Sequence, residues 1–176
     1  MNWKSRKALA LLSMALSGAS VLAGYKVIRS VTDSLFLSEF GSQNLPYVMT
    51  LVPPAVALAM YMFSRLLKRS GPARTFQWTL VLSTVVFLIL YVGIFAGARV
   101  LTAVLYVTKE VYIVILIAQH WSFINSAVTQ KEGKIVNGPI LGCATLGSLL
   151  GGVSVAHLPE KLGSVQMIPI AAGFTL

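Results

Sequence analysis

TFQWTLVLSTVVFLILYVGIFAGA, Thr75 to Ala98, runs for 24 residues without one charge. Coiled as a helix rising 1.5 Å per residue, it reaches about 36 Å. The hydrocarbon core of a bilayer is ~30 Å thick. This stretch therefore predicts a transmembrane helix, and the rest of the chain repeats the pattern on both sides of it.

Upstream, apolar runs cover 8–37 and 45–64, the first with no charge from Ala8 to Tyr25. Downstream, they cover 100–124, interrupted by Lys109 and Glu110, and a glycine-rich run over 138–158. A last run opens near Val165 and stops at Leu176, too short to cross. The expected fold is all-α: a polytopic transmembrane helix bundle with five complete spans and the start of a sixth. A run cut in this way leads us to expect a fragment of a longer protein. Composition agrees, with 56% hydrophobic and 11% charged residues against about 25% charged in soluble domains.

The net charge is +9. The cations lie in gaps between apolar runs and form no Arg-rich, aromatic-interleaved stripe, so the expected partner is the lipid bilayer and no nucleic acid. Lys4, Arg6, Lys7, Arg65, Lys68, Arg69, Arg74, Lys131 and Lys134 fall on one side of the expected topology. The opposite loops hold Arg99 and Lys161 with the acids Asp33, Glu39 and Glu160. Positive residues stay inside, so the N-terminus is expected in the cytoplasm. The basic start followed by an apolar run also fits a secretory leader ending near Val21-Leu22-Ala23. That run is long for a leader, and apolar residues resume at Leu35, so an uncleaved span is expected.

Pro53 and Pro54 predict a bend in the second span. Gly138/Gly142 and Gly147/Gly151 repeat at four residues and predict one helix face packed tightly on a neighbour. Cys143, the single cysteine, has no partner for a disulfide or a metal site, and no cofactor is expected.

Charges inside a span are expensive and mark candidate sites. Lys26, Arg29 and Asp33 share a strip of the first helix at spacings of three and four. One reading is a helix end leaving the bilayer with snorkelling cations; the other is a cationic patch opening to a cleft. Lys109 and Glu110 lie near mid-membrane on the fourth span. Glu110 shares a face with Val114, Ile117 and Trp121, and is expected to pair with Arg29 or Lys26, as a structural tie or as part of a site. His120 lies on the next face with Lys109 and Leu116, and reads as a packed or interfacial residue rather than a proton carrier. Tyr106, Tyr112, Trp121 and Phe123 either stack on a planar ligand or face lipid. No Ser/His/Asp set, paired intramembrane carboxylates or phosphate-cradling Gly-x-x-x-x-Gly-Lys loop is present, so no enzyme is expected.

Tyr25, Arg29 and Asp33, followed by Pro46 at the second span, resemble the first-helix region of the nucleotide transporters of plastids and intracellular bacteria, the ATP/ADP antiporters. Glu110, Trp121, Asn125, Lys134 after the acidic Glu132, and Gly142, Gly147, Gly151 and Gly152 extend the resemblance. It implies the N-terminal half of a major-facilitator transporter in a bacterial inner membrane, working with a C-terminal half. It also implies an anionic small-molecule substrate, a nucleotide, at the matching Arg29, Asp33 and Glu110; Lys26 and Lys109 are extra cations that the charge reading adds to the candidate substrate-binding residues. The chain departs from the family at Thr32, where the exchangers carry a lysine. A membrane-embedded sensing or interaction module without transport is the alternative expectation.

Overall fold

The structure, a computed structural model, describes residues 3–157 and 166–173. Glu160, Lys161, the end of the fifth expected span at Leu158, and residues 165 and 174–176 of the sixth lie outside the described residues. The described secondary structure is helical: α1 (Trp3–Phe40), a 3-10 turn (Ser42–Asn44), α2 (Leu45–Phe95), α3 (Val100–Ala127), α4 (Gln130–His157) and α5 (Met167–Gly173). Four helical stretches, Leu11–Phe40, Ser42–Phe95, Val100–Ser126 and Lys131–Ala156, are long and apolar enough to cross a membrane.

α2 is 51 residues long. A straight helix of that length would reach about 75 Å, more than twice the hydrocarbon thickness. It is not straight. Gly71 takes φ 74° and ψ 169°, a backbone angle pair inside α2 that is not helical. Such angles are open essentially to glycine alone. Pro72 follows and suits the first position of a restarted helix. The packing shows that the chain doubles back there. Val48, near the start of α2, packs with Phe36 and Tyr106. Phe76 stacks on Phe123 at 6.4 Å, and a Cβ at Gly93 would meet Leu101. The chain thus runs from the level of Tyr106 to that of Phe123 and returns. The reversal belongs to Gly71-Pro72, whereas the backbone at Pro53 and Pro54 keeps helical angles.

Other turns have equally local causes. Gly41 (φ 73°) and Gly97 (φ 88°) supply the positive φ that ends α1 and α2. α4 begins at Gln130, about two turns before the expected 138. Glu132 accepts hydrogen bonds from the Thr129 N–H at 3.0 Å and the Thr129 hydroxyl at 2.8 Å. The sequence Thr-Gln-Lys-Glu is a capping pattern that starts a helix at this point.

α1 is the central element, touching α3, α4 and α5, while the second half of α2 packs on α3. Gly147 and Gly151 lie against α1, where a Cβ would overlap the carbonyls of Ala19 and Ala23. The expected tight face is therefore real for this pair. Gly138 and Gly142 have the same spacing but open space around them. The main core gathers Val27, Ile28 and Val31 of α1 with Phe87, Leu90, Leu105, Leu116, Met167 and Ile168. Leu58, Met62, Leu82, Ile89, Leu149 and Leu150 point outward and exposed. An apolar exterior of this kind suits lipid, and with the four long apolar helices it marks an integral membrane protein.

The loops also sort by charge. Arg99 meets Glu39 at 3.2 Å, joining the α1–α2 and α2–α3 turns at one end of the bundle. At the other end, Leu11 and Met14 of α1 pack with Ile124, Val128 and Val136. The basic Gly71 turn lies at that second end, through the Phe76–Phe123 stack. The loops richest in cations therefore share one end, as the charge count required.

Candidate functional site: an ion network between two buried helices

The buried stripe of α3 runs Thr102, Leu105, Lys109, Tyr112, Leu116 and Gln119, all at most 5% exposed. Its spacing alternates three and four, the seam that one helix presents to another. Lys109 sits in the middle of this stripe at 1% exposure. Leu105, Tyr112 and Leu116 above and below it pack with Val27, Ile28 and Val31 of α1. That packing aims the ammonium at α1, one turn beyond, where Asp33 stands.

Lys109 Nζ donates to Asp33 Oδ1. It also lies 3.3 Å from Glu110 Oε1 and 4.1 Å from the centre of the Tyr106 ring. Arg29 Nε stands 3.9 Å from the other Asp33 oxygen, Oδ2. Two cations thus face two carboxylates, and the set is neutral. Neutrality is what allows it at this depth, since an unpaired charge here would be severely destabilising. Exposure is graded across the set. Lys109 is enclosed, Glu110 is 29% exposed, Asp33 38% and Arg29 54%. The network is anchored in the bundle and opens at the guanidinium. Tyr25 completes the open side, within electrostatic reach of Glu110, Arg29 and Asp33.

The arrangement corrects the expected pairing. Glu110 pairs with its neighbour Lys109, and the tie between α1 and α3 is Lys109–Asp33, not Arg29–Glu110. The face given to Glu110 carries Val114 and Ile117, which are 36% and 46% exposed, so Glu110 sits at the edge of the interface. Lys26 is exposed, with its Cε beside Gly152 of α4, turned away from α3. Thr32, where the resemblance expects lysine, is fully buried, and its hydroxyl has no hydrogen-bond partner.

Tyr106 and Tyr112 are buried and do not face lipid. Tyr106 packs on Phe36 at 5.1 Å and offers its other side to Lys109. Tyr112 meets the Phe87 ring edge-on at 5.0 Å. These rings are committed to protein neighbours. Of the two ordinary roles expected for His120, packed or interfacial, the structure shows the packed one. Its Nε2 is buried without a partner beside Gly18, at a cavity of about 130 Å³ lined also by Leu116, Trp121, Ile140 and Ala144. A second cavity of about 370 Å³ lies at the α3–α4 turn among Asn125, Thr129, Lys134 and Asn137.

The stripe was the signal that sequence reasoning missed. Reading Lys109 in register with Leu105, Tyr112 and Leu116 would have placed it, and not Glu110, at the centre. Comparison with protein-family models, with curated proteins and with solved structures gives no match to this chain.

Proposed function

We propose that this chain is the N-terminal half of a secondary transporter for an anionic solute, most specifically a nucleotide. α2 counts as two crossings about Gly71, which with α1, α3 and α4 makes five, and α5 belongs to a sixth. The major-facilitator architecture, with the basic end in the cytoplasm, is the arrangement this reading requires. The observation that carries it is the buried Lys109, held by two carboxylates and continuous with an exposed guanidinium at Arg29.

A network of this kind is suited to exchanging partners. Phosphate oxygens approaching Arg29 form charge-assisted hydrogen bonds of the strong class. They compete with Asp33 for the cations that bind it. Loosening Lys109–Asp33 loosens α1 from α3, so an anion binds the two arrangements of the helices differently. Differential affinity is the requirement for a ligand to shift a conformational equilibrium. Glu110 keeps Lys109 paired while Asp33 is displaced.

Exchange of labelled ATP and ADP in vesicles carrying the full-length protein tests the reading. Saturable uptake that is lost in Arg29→Gln supports it; no binding or uptake of any nucleotide refutes the substrate. Thr32 favours a second reading, because a neutral buried residue stands where the exchangers carry lysine. Nucleotide binding without uptake would mark the chain as a sensing module built on the transporter fold.

A further inference from the structure

The turn that reverses α2 carries Arg65, Lys68, Arg69 and Arg74, four cations with no acidic residue among positions 65–74. All four are exposed. Among the described residues none of them forms a salt bridge. The basic turn between α3 and α4 differs, since Glu132 stands between Lys131 and Lys134. Arg65, Lys68 and Arg69 have the spacing that puts them on one face of the last helical turn before Gly71. Arg74 follows on the first turn after it.

The aromatic residues fix the depth of this patch. Tyr61 is 54% exposed with the Arg65 guanidinium 4.6 Å over its ring, and Trp78 is 64% exposed. One stands on each half of α2, on either side of the turn. Exposed tyrosine and tryptophan favour the boundary between hydrocarbon and headgroups. Away from the turn the surface beyond them is apolar, with Leu58, Val81, Leu82 and Val85 exposed. The cations therefore project at the level of the lipid phosphates, where an anionic surface attracts such clusters.

We propose that the Gly71 turn is a binding site for an anionic phospholipid, its phosphodiester held by Arg65, Lys68 and Arg69 with Arg74 beside them. The bound headgroup bridges the two halves of α2 and braces the reversal. This depends on membrane insertion and is independent of any transported substrate.

Trp78 reports on the site directly. With every other tryptophan of the full-length protein replaced by phenylalanine, Trp3 and Trp121 among them, the protein is reconstituted with brominated phosphatidylglycerol or brominated phosphatidylcholine, and quenching of Trp78 is measured. The expected result is severalfold stronger quenching by the anionic lipid at equal mole fraction. The preference should vanish in Arg65→Gln/Lys68→Gln/Arg69→Gln and persist in Lys131→Gln/Lys134→Gln. Equal quenching by the two lipids, or a preference untouched by the triple variant, overturns the proposal. So does displacement of the lipid by millimolar inorganic phosphate, which would make the turn a soluble-anion site.

Discussion

Replacing Lys109 by methionine keeps the volume and the apolar stem but removes the ammonium from the neutral set. Asp33 and Glu110 are left facing Arg29 alone, one carboxylate in excess. Breaking a fully buried pair costs about 3–5 kcal/mol. The carboxylates here are 38% and 29% exposed, so solvent screens part of that. We expect a loss of about 2–3 kcal/mol. For a chain of this size that corresponds to a fall of about 4–12 °C in melting temperature. The assay is thermal unfolding of purified protein in one fixed detergent or nanodisc composition, with Lys109→Met, Asp33→Asn and the double variant compared. The double variant should melt above Lys109→Met, because the stranded Asp33 charge is gone. A Lys109→Met protein that melts with the parent would refute the network as a stabilising tie.

Further expectations follow from the packing. Gly147→Ala should cost about 1–3 kcal/mol through its overlap with the Ala19 backbone, whereas Gly142→Ala should be neutral; equal melting temperatures for the two would remove the α1–α4 contact. Gly71→Ala should destabilise by about 1–3 kcal/mol, since alanine does not favour that backbone angle, and thermal unfolding of the variant checks it. Glu132→Ala loses both hydrogen bonds to Thr129, so the first-turn amides of α4 should exchange with solvent faster while the core amides are unchanged. Protection equal to that of the parent would show that the cap contributes nothing.

Much of the architecture was legible because bilayers impose a coarse rule. The 24 uncharged residues from Thr75 to Ala98 could hardly fold otherwise, and the cation count sorted the loops to their ends. Finer matters depend on which face of a helix meets another. Gly138/Gly142 and Gly147/Gly151 share one spacing, yet only the second pair meets α1. What distinguishes it is the partner ladder Ala15-Ala19-Ala23, a small-residue repeat visible in the sequence but meaningful only once the helices are paired. The site was legible in composition and not in connection. Arg29, Asp33, Lys109 and Glu110 were identified from their cost in lipid. The Arg29–Asp33 pair follows from its four-residue spacing, whereas the partner of Glu110 does not, because depth along a helix says nothing of rotation around it. The stripe through Leu105, Lys109 and Tyr112 carries the rotational information, and it assigns the buried position to the lysine. Spacing groups Lys26 with Arg29, although three residues of helix are enough to turn it to α4.

The proposed function requires this network to meet an anionic substrate rather than only to join α1 to α3. Nucleotide exchange by the full-length protein carrying Lys109→Gln/Asp33→Asn tests it most directly, measured beside its melting temperature. Both partners of the tie are removed together, so stability should recover toward the parent. A substrate site predicts that exchange does not recover with it. Exchange at the parental rate in the double variant would contradict a substrate site here and leave Lys109–Asp33 as a purely structural pair.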